Sequence, residues 1–119
     1  MAEKKSDPVA FNLAAALNRL DGDREFLCEL AVLFRQDFEK KTPVIEEALE
    51  KKDFALLRQI GHSLKGAAAI LCLEAFRRAA RKLETAGLKN NINQAHAAFR
   101  SMKEEFAALL NHPDASGLF

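Results

Sequence analysis

The segment from residue 61 to residue 66 holds the side chains of this chain that are best suited to chemistry. His62 supplies an imidazole, a group that is a good nucleophile near neutral pH because free imidazole is largely unprotonated there. Lys65 follows three residues later, so on a helix its ammonium lies about one turn away and can act as a flexible point charge. The spacing therefore indicates a nucleophilic histidine with a cation beside it.

The apolar residues around His62 place it on the solvent side of a helix. Residues 54 to 71 carry apolar side chains at helical spacing, which predicts one buried stripe. The stripe consists of Leu57, Ile60, Leu64, Ala68 and Leu71. At about 100° per residue, His62 lies roughly 160° from Leu64, nearly opposite that stripe. The neighbours of His62 on the exposed face are Ala55, Arg58, Gln59, Lys65, Gly66 and Ala69.

Two glycines inside this predicted helix require a physical reason, because a glycine in mid-helix costs about 1 kcal/mol relative to alanine. Gly61 lies at the edge of the buried stripe, where a missing side chain lets a neighbouring helix approach closely. Gly66 lies on the exposed side, one turn after His62. Its missing side chain clears space for a macromolecule that approaches from solution.

Residues 62–66 form the motif H-x-L-K-G, which resembles the signature of histidine-containing phosphotransfer (HPt) domains. Further matching positions are Phe34, Phe38, Ala48, Leu49, Asp53, Leu71, Phe76, Leu83 and Glu84. The resemblance covers about residues 11 to 110. It departs from the family pattern at Ala67, where serine is frequent, and at Cys72, where glycine is usual. A turn with positive φ at residue 72 would strain a cysteine.

The resemblance implies a phosphocarrier of a two-component phosphorelay, and not an independent enzyme. His62 would accept a phosphoryl group from a receiver-domain phospho-aspartate, or from a sensor or hybrid histidine kinase, and pass it to a response regulator. The receiver would supply Mg²⁺, and the chain would need no cofactor or metal of its own. Lys65 would neutralise phosphoryl charge and Gly66 would give steric clearance. Partner contacts would come from Ala55, Arg58, Gln59 and Ala69.

Glu84 matches the glutamate that hydrogen-bonds the acceptor imidazole in chemotaxis-kinase phosphotransfer domains. If it reaches Nδ1 of His62, it fixes the tautomer in which Nε2 attacks. An ordinary structural glutamate is the alternative.

The main alternative function is that of a helical interaction module, which binds receivers without carrying phosphate. A di-iron bundle requires Glu-x-x-His pairs, which the sequence lacks, since Gln59, Asn93 and Leu109 precede the three histidines by three residues. The basic residues on a later predicted helix indicate either a solvated face or a surface for an acidic partner. They are Arg77, Arg78, Arg81 and Lys82.

Composition narrows the remaining classes. The chain has 119 residues, of which 49% are hydrophobic and 29% charged, with a net charge of +1. The length predicts a single domain over residues 1–119, and we expect an ordered core at about 11–110. The low net charge argues against nucleic-acid or anionic-membrane binding. No apolar run is long enough to span a membrane, and residues 1–8 lack a signal-peptide pattern. We therefore expect a cytoplasmic monomer.

Cys28 and Cys72 are expected as buried, reduced thiols, with a disulfide or metal site as the weaker alternative.

The apolar pattern predicts an all-α fold, an antiparallel up-and-down four-helix bundle with a short additional N-terminal helix. The predicted helices begin after caps at Asn12, Asp23 and Asp53. In the long second helix, the expected buried positions are Phe26, Leu30, Leu33, Phe34, Phe38, Ile45 and Leu49. Pro43 either kinks that helix, as the resemblance favours, or lets Thr42 cap a new one. Gly87 is expected at the C′ position that ends the fourth helix.

Overall fold

The computed structural model describes residues 11–119, and these residues form five α-helices. They are α1 (Leu13–Arg19), α2 (Arg24–Lys51), α3 (Phe54–Ile70), α4 (Glu74–Leu88) and α5 (Ile92–Leu110), followed by a short 3₁₀ helix (Pro113–Ala115). No strand occurs within residues 11–119, so the all-α prediction is confirmed. Residues 1–8, where the sequence lacks a signal-peptide pattern, lie outside the described residues.

Side-chain caps fix where most of these helices begin. The predicted caps at Asn12, Asp23 and Asp53 are confirmed, since each carboxylate or amide oxygen accepts a hydrogen bond from the backbone three residues later. Asn91 caps α5 in the same way. Each such cap stabilises its helix by about 1 kcal/mol. The cap at Asp53 fixes where α3, the helix that carries His62, begins.

Helix α2 is continuous through Pro43, so the alternative in which Thr42 caps a new helix was wrong. The Thr42 hydroxyl instead donates to the carbonyl oxygen of Phe38, at 2.9 Å. A threonine bonded to the preceding turn belongs to the interior of a helix and not to its start. A kink at Pro43 stays a prediction.

The buried face of α2 differs from the predicted stripe. Leu27 and Ala31 are fully buried, whereas Phe26 is 44% exposed and Leu33 is 59% exposed. The apolar run from residue 30 to residue 34 is wider than one helical stripe, so only part of it can face the core. The placement of Phe26 and Leu33 in the core was therefore wrong, and the exposure of Leu33 leaves an apolar surface beside α3.

Helices α3 and α4 approach each other closely through two glycines. A Cβ atom added to Gly61 would lie 2.6 Å from the backbone nitrogen of Glu84, and one added to Gly87 would lie 2.6 Å from that of Arg58. Gly87 lies inside α4 and not at its C′ position, so that prediction was wrong. Asn90 takes the left-handed turn after α4 instead, with φ of +54°. The close contact brings α4 side chains within reach of His62.

The four longer helices enclose one cluster of buried apolar side chains. Each packs against two others: α2 against α3 and α5, and α4 against α3 and α5. Phenylalanine rings form part of this core, where the Phe76 ring lies edge-on to Phe34 and Phe38 at 5.0 and 5.1 Å. The core continues past the expected end near residue 110, because Ala115 and Leu118 are also buried.

The two cysteines are free thiols, and both are half-buried against the core. Cys72 lies in the turn between α3 and α4 with φ of +56°. The turn therefore does require the left-handed conformation, which an L-residue with a side chain adopts at a cost of about 1–2 kcal/mol. The strained residue lies ten positions after His62, beyond the end of α3.

Candidate functional site

His62 projects from the middle of α3 with 72% of its side chain exposed. Nδ1 of its ring lies 2.9 Å from Oε2 of Glu84 on α4. Nε2 has no hydrogen-bond partner among residues 11–119. One nitrogen of the imidazole is thus held by the protein, while the other is available from solution.

The Glu84 carboxylate also binds Lys65, whose Nζ lies 2.7 Å from Oε1. The hydrogen bond from Lys65 lowers the pKa of Glu84 below its usual value, and the contact with His62 acts in the same direction, against the opposing effect of burial. Glu84 is therefore ionised at neutral pH and can only accept hydrogen bonds. In the neutral ring, the proton must then be on Nδ1, which leaves the lone pair on Nε2.

The surface around Nε2 has low relief. A Cβ atom at Gly66 would meet no atom within 4 Å, so open space lies above this residue, one turn after His62. Ala55 is exposed and Ala69 is half-buried on the same helix. Small side chains on both sides of the imidazole leave room for a broad, flat partner surface. Arg58 and Gln59 are exposed one turn before His62 and can contact such a partner.

An apolar groove between α2 and α3 lies beside this face, with a volume of about 260 Å³. Leu33 and Ile70 line it, and they are 59% and 45% exposed. Ile70 follows His62 by eight residues on α3, so it lies roughly 12 Å further along the axis. This groove was not predicted from the sequence, because the apolar pattern places Leu33 in the core. The width of the apolar run around Leu33 was the signal that could have revealed it.

The other two histidines do not share this environment. His96 is exposed on α5, whereas Nδ1 of His112 accepts a hydrogen bond from the backbone of Asp114 after α5 has ended. No group of three or more His, Cys, Asp or Glu side chains within residues 11–119 is arranged to hold a metal ion. None of the helices in that part of the chain combines the length and apolar character needed to cross a membrane.

Comparison with known proteins agrees with this geometry. The profile of the Hpt domain family matches residues 29–112, a segment that contains His62, Lys65, Gly66 and Glu84. No curated protein and no solved structure matches the chain significantly. The matched segment spans more than half of the 119 residues and includes the exposed imidazole with its carboxylate partner. The chain therefore belongs to the Hpt domain family.

Proposed function

We propose that this protein carries a phosphoryl group on Nε2 of His62 within a two-component phosphorelay. Hpt domains have a phosphotransfer role in two-component signalling and interact with receiver domains and kinases. The single observation that carries the proposal is the exposed imidazole whose Nδ1 is held by Glu84. The donor is a receiver phospho-aspartate, or a sensor or hybrid histidine kinase, and the acceptor is a response regulator.

The transfer step uses the side chains of this site in distinct ways. Nε2 attacks the phosphorus atom, the bond from phosphorus to the aspartate oxygen breaks, and the aspartate leaves as a carboxylate. The imidazole gains a positive charge because its lone pair forms the new bond. Glu84 lies 2.9 Å from Nδ1, so its negative charge offsets that gain.

Lys65 would serve the phosphoryl group itself. Its ammonium lies on the Glu84 side of His62 and is held by Oε1 at 2.7 Å. The four-carbon stem of a lysine allows it to turn toward phosphoryl oxygens once these are bound at Nε2. Catalysis of phosphoryl transfer is mostly positioning and charge neutralisation, so the receiver would contribute the Mg²⁺ and the remaining catalytic groups.

The receiver would dock over the low face of α3 and the adjoining apolar groove. Gly66 leaves space above the helix, and Leu33 and Ile70 offer exposed apolar surface next to it. Burial of such side chains contributes about 25 cal/mol per Å² of apolar surface removed from water. This continuity of the groove with the His62 face supports one shared docking surface.

The arrangement of the helices supports an antiparallel up-and-down four-helix bundle, with α1 laid against it. Only two residues separate α2 from α3, and only three separate α3 from α4 and α4 from α5. Connections that short favour antiparallel neighbours. We further propose that the protein acts in the cytoplasm and as a monomer, in which His62 is open to a receiver.

Phosphoryl transfer from a ³²P-labelled receiver tests the proposal. We expect label on the protein that is labile to acid and stable to base, and no label on the His62→Gln variant. Circular dichroism of the variant controls for folding. Label that persists on His62→Gln would refute the proposal. Receiver binding without any transfer would instead support the alternative, an interaction module that carries no phosphate.

A further inference from the structure

A second groove lies between α4 and α5, with a volume of about 750 Å³. Its lining residues come from these two helices only, and none comes from α3. Along α4 it reaches from Glu74 to Thr85, a distance of roughly 16 Å at 1.5 Å per residue. The groove is thus an elongated trough that the His62 site does not use.

The trough concentrates positive charge. Its cations are Arg77, Arg78, Arg81 and Lys82. Glu74 is the one carboxylate among the lining residues, and it contacts Arg77 at 3.0 Å and Arg78 at 3.6 Å. The hydrogen bond from Arg77 lowers the pKa of Glu74, which is therefore ionised. Four cations and one carboxylate leave a net charge of about three in the trough, while the whole chain carries only +1.

The α5 side of the trough is small and neutral. Ala97, Ala98 and Ser101 leave room for a chain to lie along the helix. Thr85 and Gln94 add hydrogen-bonding groups without charge. Such groups can pair with the amides and carbonyls of a peptide backbone.

We propose that this trough binds an acidic segment of a partner protein. Arginine presents a planar fork of donors that matches carboxylates in bidentate geometry, so Arg78 and Arg81 suit aspartate and glutamate side chains. The neutral groups on the α5 side accept the backbone of the same segment. The charge and length of the trough therefore fit one ligand, an acidic stretch of polypeptide.

Nucleic acids and nucleotides fit the trough less well. A protein domain that binds nucleic acid commonly has a pI above 9, whereas this chain has a pI of about 7.8. Bases bound by proteins stack on aromatic side chains, and no aromatic residue lines the trough. The positive charge is local, and the slightly acidic remainder of the surface would repel a long polyanion.

The centre of the trough and the His62 site point in different directions from α4. Around the helix axis, Arg78 and Lys82 point about 120° and 160° away from Glu84, whereas Arg81 points only about 60° away from it. An acidic segment that lies along Arg78 and Lys82 therefore leaves the α3 face open to a receiver. Such a second contact raises the local concentration of the partner that carries the segment and so favours it over other partners.

Binding of a defined probe tests the proposal on the full chain. The probe is a fluorescein-labelled 12-residue peptide of alternating glutamate and alanine, and the matched control peptide replaces every glutamate by glutamine. We expect amide shifts in ¹⁵N spectra confined to α4 and the first half of α5, and binding that weakens with added salt. The double variant Arg81→Glu with Lys82→Glu should bind at least tenfold more weakly.

Two further arms make the test decisive. The double variant Arg24→Glu with Lys40→Glu reverses two exposed charges on α2, has the same net charge as the first variant, and should bind the peptide as the wild type does. The His62→Gln variant should also bind it unchanged. The proposal is overturned if the peptide does not bind, if the glutamine peptide binds equally, or if the shifts map to α3. It is also overturned if a 12-nucleotide single-stranded DNA binds more tightly, or if sedimentation shows that a second copy occupies the trough.

Discussion

Oε2 of Glu84 lies 2.9 Å from Nδ1 of His62, although the two residues belong to different helices and are 22 positions apart in the sequence. This contact fixes the tautomer that leaves the lone pair on Nε2. It also places a carboxylate where positive charge would develop in the proposed phosphorylation of the ring. The reactivity of the imidazole therefore depends on a residue of the neighbouring helix.

Replacing Glu84 by alanine should slow phosphoryl transfer about tenfold, the lower end of the effect of removing a residue that orients a functional histidine. The ¹⁵N resonances of the imidazole should show a loss of the Nδ1–H form in the same variant. The rate is measured with a ³²P-labelled receiver. Glu105→Ala, at another half-buried glutamate, is the matched control and should keep the wild-type rate. An unchanged tautomer in Glu84→Ala would contradict this role.

The same carboxylate should make stability depend on pH. Contacts with Lys65 and His62 lower the pKa of Glu84 in the folded state. Its stabilising contribution is therefore complete above the unfolded value near 4.5 and is lost as the pH falls through the lower, folded value. We expect wild type to exceed Glu84→Gln by about 0.5–1 kcal/mol in free energy of unfolding at pH 6. Urea titrations at pH 6 and pH 3 should show a smaller difference at pH 3 than at pH 6.

The two glycines of α3 should respond in opposite ways to alanine. In Gly61→Ala the new methyl group would lie 2.6 Å from the backbone of Glu84, so the helices must separate, at a cost of about 1–3 kcal/mol. In Gly66→Ala the methyl group meets nothing within 4 Å, so the gain in helix propensity should stabilise the protein by up to about 1 kcal/mol. Urea unfolding of both variants measures the contrast. Equal stability of the two would contradict the close helix contact.

A large side chain at position 66 should block docking of the receiver without changing the reactivity of the His62 imidazole. Gly66→Leu fills the open space above α3 but leaves His62 and Glu84 in place. Transfer from a receiver should fall at least tenfold, because the partner can no longer approach Nε2. Phosphorylation by phosphoramidate, a small donor, should keep its wild-type rate. Gly66→Ala is the control for the lost glycine, and equal losses with both donors would show that the substitution had damaged the imidazole site itself.

Local periodicity was sufficient to predict on which side of its helix His62 lies. One stripe of apolar residues in α3 fixed the direction of His62, and the cap at Asp53 fixed where the helix begins. The contact of Lys65 with Glu84 could not be predicted in this way, because it depends on how closely α4 approaches. That distance is set by tertiary packing at Gly61 and Gly87, and the sequence pattern gave Gly87 a different role.

The wrong predictions of buried residues in α2 have a similar cause. Phe26 and Leu33 are as apolar as the residues that are buried, and hydrophobicity alone could not decide which face packs inward. Ala31 is fully buried although it is smaller and less hydrophobic than either Phe26 or Leu33. Periodicity predicted a buried stripe but not its angular position within a wide apolar face.

The exposed position of Leu33 leads to the last prediction. Leu33→Ser removes an apolar side chain from the rim of the groove beside the His62 face. Because that side chain is 59% exposed, the free energy of unfolding should change by no more than about 0.5 kcal/mol. Receiver affinity, measured by calorimetry, should fall several-fold. Leu27→Ala, on the buried side of the same helix, should instead lower the free energy of unfolding by about 2–5 kcal/mol. Unchanged receiver binding by Leu33→Ser would exclude the groove from the docking surface.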